Sequence, residues 1–273
     1  MTGAGDIHDP DPPGGPLTRR RAGILLHPTS LPAARIQGGL GHDAYRFVEF
    51  LAAGGITVWQ MLPLGPTHPD GSPYQCLSAH AGSPQLISLD WLIDRGWLTD
   101  EEDADCADDR PRCLKRAHQG FVAACMEADS EAATRYAAFV EAQRYWLDDF
   151  ALFTALRETH HGAPWYDWPA NVRGRKPAAL KSARAKHAAR LEQVFFEQFV
   201  FFEQWHELRD YAHRHGVLLF GDMPIFVAHD SADVWAQPEN FALDDTGHPL
   251  AIAGVPPDYF SETGQRWGNP HYD

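Results

Sequence analysis

The chain has 273 residues, a formal net charge of −14 and 44% hydrophobic residues. A chain this long can bury roughly 75% of its unfolded surface, in one large domain or two small ones. The acidic balance argues against nucleic acid and anionic membrane as partners, since both need a basic footprint, and it leaves a neutral ligand fully compatible. Cys76, Cys106, Cys113 and Cys125 form no C-x-x-C pair and no zinc spacing. That reads as free thiols in a reducing, cytoplasmic setting, with an isolated disulfide left open. Arg19-Arg20-Arg21 precedes a short apolar run, but His27 and Pro28 cut it too early for an export signal or a membrane span.

In chain order, residues 1–18 are rich in Pro, Gly and Asp and read as a disordered leader. Residues 19–63 carry a short buried strand (22–26), a helix and a second strand (56–62). The helix shows Ala44, Val48 and Leu51 at helical spacing and stops at Gly54-Gly55. Strand, helix and strand in so short a segment predict a parallel βαβ unit. Residues 64–190 open with turn chemistry, Gly65-Pro66-Thr67 and Asp70-Gly71-Ser72-Pro73, and read as an inserted loop and helical subdomain. Within it the acidic run 100–109 reads as a solvated connector. Ser130 caps a long helix running to about Thr159, with Gly162 beyond its end. Trp165, Tyr166 and Trp168 lie in a loop between Pro164 and Pro169 and read as a surface that meets something. One helical region, about 178–215, leads into residues 191–273: the end of that helix, a third strand and a substrate-site loop.

The third strand, residues 217–220, is an unbroken apolar run of the kind found in parallel sheets buried on both faces. It delivers Asp222 to a rim carrying His229, Asp230, Asp233 and Trp235, which is how barrel and open α/β enzymes build sites. A strand end with a solvated acidic turn fits the same local pattern. The motifs G-x-x-x-x-G-K-[ST], H-E-x-x-H and G-x-S-x-G are absent, and the fifteen histidines show no ligand pattern, so no metal or cofactor is expected. What remains is a set of loop carboxylates (Asp222, Asp230, Asp233, Asp258) among Tyr74, Trp235, Tyr259 and Trp267. Carboxylates that fork onto paired hydroxyls, beside flat aromatic faces, suit a carbohydrate. Retaining glycosyl transfer needs two carboxyl groups roughly 5–5.5 Å apart, and the pattern alone does not choose them.

Four blocks carry a specific resemblance: residues 23–32 (GILLHPTSLP); 59–67 (WQMLPLGPT) with Ser72-Pro73-Tyr74-Gln75; 221–235; and 254–270. With residues 163–169 they resemble the amylomaltase, or 4-α-glucanotransferase, family (glycoside hydrolase family 77) from about residue 20 onward. The resemblance implies a (β/α)₈ TIM barrel that moves α-1,4-glucan segments between maltodextrins by retaining double displacement, without a cofactor. Carried over by position, Asp222 resembles a substrate-contacting aspartate at the third strand, and Tyr74 an aromatic that holds glucan. Asp258, Trp267 and Asn269 fall in the loop bordering the donor site. The family's nucleophile, acid/base and third acid belong to later strands, beyond Asp273. The chain is therefore expected to be an incomplete barrel of about three strands, with a large, mainly helical insertion between strands 2 and 3. It is expected to lack the catalytic acids and to self-associate through an open barrel edge. A catalytically silent maltodextrin-binding fragment, or the product of a truncated gene, is the alternative.

Overall fold

In the computed structural model the described residues are 18, 20–32, 38–106, 108–126 and 130–273. The leader expected over residues 1–18 lies outside them, Thr18 apart. In chain order come β1 (Gly23–Leu25), α1 (His42–Ala53), β2 (Val58–Gln60), α2 (Leu89–Asp94), α3 (Asp100–Asp105), α4 (Arg110–Cys125) and α5 (Glu131–Thr159). Then follow α6 (Ala170–Arg173), α7 (Pro177–Lys186), α8 (Ala188–Arg214), β3 (Leu218–Phe220), α9 (Ala232–Ala236), β4 (Ile252–Val255) and β5 (Gln265–Pro270). The fold is α/β, and the chain divides into two compact units: Met1–Leu62 with Gln204–Asp222, and Pro63–Glu203 with Met223–Asp273.

The first unit holds a three-stranded parallel sheet in the order β1-β2-β3. Gly23 pairs with Val58 and Val58 with Leu218, so all three strands run in one register. Gly23 suits this spot because a Cβ there would sit 3.1 Å from the Val58 side chain. Trp59 is wholly buried, donates its indole N–H to Leu26 O at 2.8 Å and meets Phe47 of α1 edge-on at 4.9 Å. The helix α1 turns Ala44, Val48 and Leu51 inward, the face its spacing predicts. The expectation of a third strand buried on both faces needs correction. Val217 is buried, but Leu218 and Leu219 are only half-buried and Phe220 is 45% exposed.

The second unit is built on helices. Ser130 caps α5 by accepting a bond from Ala133 N, and Gly162 (φ +80°) ends it by donating its N–H to Arg157 O. Only the later half of α5 is buried; Phe150, Phe153 and Leu156 pack with Trp165, Trp168, Val194, Val234 and Trp235 in one core. Trp165 and Trp168 are 3% and 2% exposed and Tyr166 is half-buried, so two of this loop's three aromatics, expected at a meeting surface, are interior. Prolines at both ends set its extended entry and exit, and each indole N–H finds a carbonyl, His229 O and Ala163 O respectively.

Three other expectations change. The single helix over 178–215 is two, broken at His187, whose carbonyl accepts from Arg190 N and Leu191 N and so opens α8. The acidic run is not a bare connector: Thr99 and Glu102 form a reciprocal capping box for α3, and the acids sit in its first turn where the helix dipole favours them. Finally, Cys106 and Cys113 are joined by a disulfide with Cα atoms 5.4 Å apart, leaving Cys76 and Cys125 as the free thiols. No helix among the described residues is long and apolar enough to cross a membrane.

Candidate functional site

Past Pro63 the chain doubles back on itself. Thr67 bridges Cys76, Leu77 N donates to Pro66 O at 2.7 Å, and Asp70 Oδ1 accepts from Ser72 N at the bend. Gly65 fits because a Cβ would come within 2.9 Å of the Cys76 sulfur. Burial pushes the Cys76 thiol up to about 11, so it stays protonated and donates to Pro73 O. This folded segment presents Tyr74, 45% exposed.

Residues 254–270, read from sequence as an irregular site loop, are an antiparallel hairpin of β4 and β5 with Val255 opposite Gln265. Asp258 shapes its tip: Oδ1 accepts from Phe260 N at 2.9 Å and Ser261 N at 2.8 Å, an Asx turn that leaves Oδ2 open. Gly264 (φ +73°) closes the tip, and Tyr259 and Phe260 stand 96% and 89% exposed on it. On β5, Trp267 is 46% exposed with its indole N–H held by Gln265 Oε1.

Two of the sequence candidates meet through Gln75. Its Nε2 donates to Asn269 Oδ1 at 3.0 Å and to Trp267 O at 3.4 Å, joining the Tyr74 segment to β5. Asn269 is 4% exposed, and its Nδ2 donates to Val227 O at 2.9 Å. Its amide is thus occupied on both sides by the protein. Asp258 sits at the far end of the same hairpin. Asp222 is exposed just past β3, in the first unit. Gln75, which sequence reasoning did not nominate, stands next to Tyr74 in the block that carried the resemblance.

The rim acids Asp230 and Asp233 take structural parts. Asp230 Oδ2 accepts from Arg157 Nη2 at 3.1 Å and Nε at 3.3 Å, and its Oδ1 accepts from Trp165 N. Its carbonyl bonds the His68 ring at 3.0 Å. His229 Nε2 donates to Gly247 O at 2.7 Å under the Tyr166 ring, stacked at 4.3 Å, and burial above all holds its pKa below the ordinary value. Trp235 is fully buried beneath the Arg175 guanidinium. Asp233 accepts from Ala79 N at 2.9 Å. None of the described residues cluster three His, Cys, Asp or Glu side chains as a metal site would need.

The hairpin offers exposed aromatic rings and one partly open carboxylate, Asp258, braced through Gln75, and comparison gives it a relationship. The sequence model of the 4-alpha-glucanotransferase family matches residues 26–273. The chain is 47% identical over 263 residues to the 4-alpha-glucanotransferase of Thermus thermophilus, covering 93% of this chain and 52% of that protein. It is 47% identical over 273 residues to the enzyme of the same name from a Synechocystis species, covering 94% and 53%. Its fold matches amylomaltase from Streptococcus agalactiae, solved in complex with acarbose, with a TM-score of 0.86 and 36% identity over 93% of this chain and 53% of that one. The chain spans about half the length of the curated relatives it matches. By sequence and by fold, the chain belongs to the 4-alpha-glucanotransferase family.

Proposed function

We propose that these residues form the first part of a 4-α-glucanotransferase that moves α-1,4-glucan segments between maltodextrins by retaining double displacement. In this reading β1, β2 and β3 are the opening strands of a (β/α)₈ barrel, and residues 64–190 are the insertion between its second and third strands. Tyr74 and Trp267 supply ring faces to the glucan, and Asp222 and Asp258 accept bonds from its hydroxyls. Asn269 contributes from behind, by holding Gln75 and the hairpin in place. The nucleophile and acid/base lie outside residues 1–273, no metal or cofactor takes part, and the setting is cytoplasmic. What supports the reading most is the Gln75–Asn269 bond, which braces the Tyr74 segment against the strand bearing the exposed Trp267 ring.

The test is to incubate the purified 273-residue chain with maltotriose, chromatograph the products, and titrate the chain with maltoheptaose by calorimetry. Binding without products is the expected outcome. Glucose plus a ladder of longer maltodextrins would place the catalytic pair inside these residues and overturn the assignment of the acids. Folded chain that neither binds nor transfers would sink the glucan reading itself.

A further inference from the structure

An open cleft of about 90 Å³ lies in the second unit, lined by residues of α5 and α9 together with Ser78 and His80. Tyr74, Asp258, Trp267 and Asn269 do not line it. Its outer wall is Tyr145 of α5, 69% exposed although it is a large aromatic, with a hydroxyl that bonds no other described residue. The Tyr145 ring meets His80 edge-on at 5.6 Å, and His80 lies nearly parallel to the Trp146 ring at 5.9 Å. Trp146 is itself fixed, donating its indole N–H to Gln143 Oε1 at 2.7 Å. The aromatic wall is therefore braced before any ligand arrives.

Part of the lining is polar. Asn240 Nδ2 donates to Gln237 Oε1 at 2.8 Å, which leaves Gln237 Nε2 as a donor and Asn240 Oδ1 as an acceptor on the same bonded pair of amides. Such a pair matches a vicinal diol, whose two hydroxyls can accept from one and donate to the other. Asp233, also in the lining, is 18% exposed at its side chain; it accepts from Ala79 N at 2.9 Å and from its own backbone N–H, with the His80 ring at 4.0 Å. Burial pushes this carboxyl up, and a further hydroxyl donor would offset part of that desolvation. The other acid of the lining, Asp149, is already bridged to Arg175 at 2.9 Å and Arg184 at 3.1 Å. With that charge balanced, the cleft favours a neutral, hydroxyl-rich ligand over an ion.

We propose that this cleft is a separate glucan-holding subsite, which takes one glucosyl unit of an α-1,4-glucan with Tyr145 against the sugar's C–H face. Gln237 and Asn240 grip a pair of adjacent hydroxyls, and Asp233 accepts from a third. Because the cleft is open to solvent, the rest of the glucan can continue out of it. The proposal rests on the maltodextrin reading for the identity of its ligand.

Calorimetric titration of the full 273-residue chain with maltoheptaose tests it, using Tyr145→Ala, Tyr145→Phe, the double variant Gln237→Ala/Asn240→Ala, and Trp267→Ala. Circular dichroism serves as the folding check. Two binding events are expected in the parent chain. Tyr145→Ala should weaken one of them about tenfold while Tyr145→Phe, which keeps the ring face, retains it. The Gln237/Asn240 double variant should weaken the same event, and Trp267→Ala only the other. If Tyr145→Ala and the double variant both bind as the parent does while Trp267→Ala does not, the subsite is overturned and the main glucan reading survives. Sensitivity to Tyr145 but not to Trp267 would keep the subsite and sink the proposed main face. No binding by folded parent chain would remove both.

Discussion

Asp230 and Trp235 stand beside Asp222 in one polar, aromatic stretch, yet Asp230 is bound to Arg157 and Trp235 is wholly inside. Their partners lie in α5 and near residue 172, far along the chain, so no local pattern could reveal them. His229 is a similar case, and its burial has a measurable consequence. Its folded pKa lies below the unfolded value of 6.5, chiefly through desolvation, so above that pH the ring is neutral in both states. As pH falls below 6.5 the unfolded chain takes up the proton first, and stability is lost until the folded pKa is reached. His118, buried near Arg190, and His187 shift in the same direction and share this loss. Urea unfolding of the parent chain should therefore move to lower denaturant between pH 7 and pH 5.5. His229→Gln should start less stable at pH 7, by about 1–2 kcal/mol for the disrupted hydrogen bond and ring stack, and lose less on acidification. An identical pH loss in the variant would mean that His229 does not titrate this way.

At the scale of elements, legibility followed how local the determining physics is. The cap at Ser130 and the stop at Gly162 gave α5 to within a residue, because both signals sit in the sequence next to the helix they end. Each strand of the parallel sheet is also legible, since an apolar run bounded by Pro or Gly is self-contained. The hairpin of β4 and β5 was missed for the opposite reason: Gln265, Arg266 and Asn269 carry no alternation, and the pairing depends on an Asx turn and on Gly254 admitting Gln265 O within 2.3 Å of its Cβ position. The sequence leaves a disulfide open without assigning its pair, because a spacing of seven matches no motif; it exists because α3 ends where α4 presents Cys113. Closing so short a loop stabilises by about 2–3 kcal/mol on the chain-entropy account. The double variant Cys106→Ser/Cys113→Ser should lose that much in urea unfolding. Unfolded parent chain, kept free of reductant, should expose two reactive thiols, Cys76 and Cys125. Four reactive thiols would show that the bridge does not form.

At the scale of the whole molecule, the exposed apolar surface of the parallel sheet sets how the chain behaves in solution. Parallel sheets are ordinarily covered on both faces, yet Leu25 of β1 is 54% exposed and Phe220 of β3 is 45% exposed. Both outer strands also have a free ladder side among the described residues, since β1 and β3 each pair only with β2. Unpaired edges flanked by open apolar side chains are templates for another chain. Against this stands the net charge of −14, which repels a second copy at low ionic strength and is screened as salt rises. The two effects predict a specific salt dependence. In sedimentation velocity the apparent mass should grow with protein concentration, and more steeply at 0.5 M than at 0.05 M salt. Leu25→Lys with Phe220→Lys should return the chain toward monomer even though it lowers the net negative charge, because edge lysines resist strand addition. A parent chain that stays monomeric at high concentration and high salt would mean that these side chains are too weakly exposed to drive association.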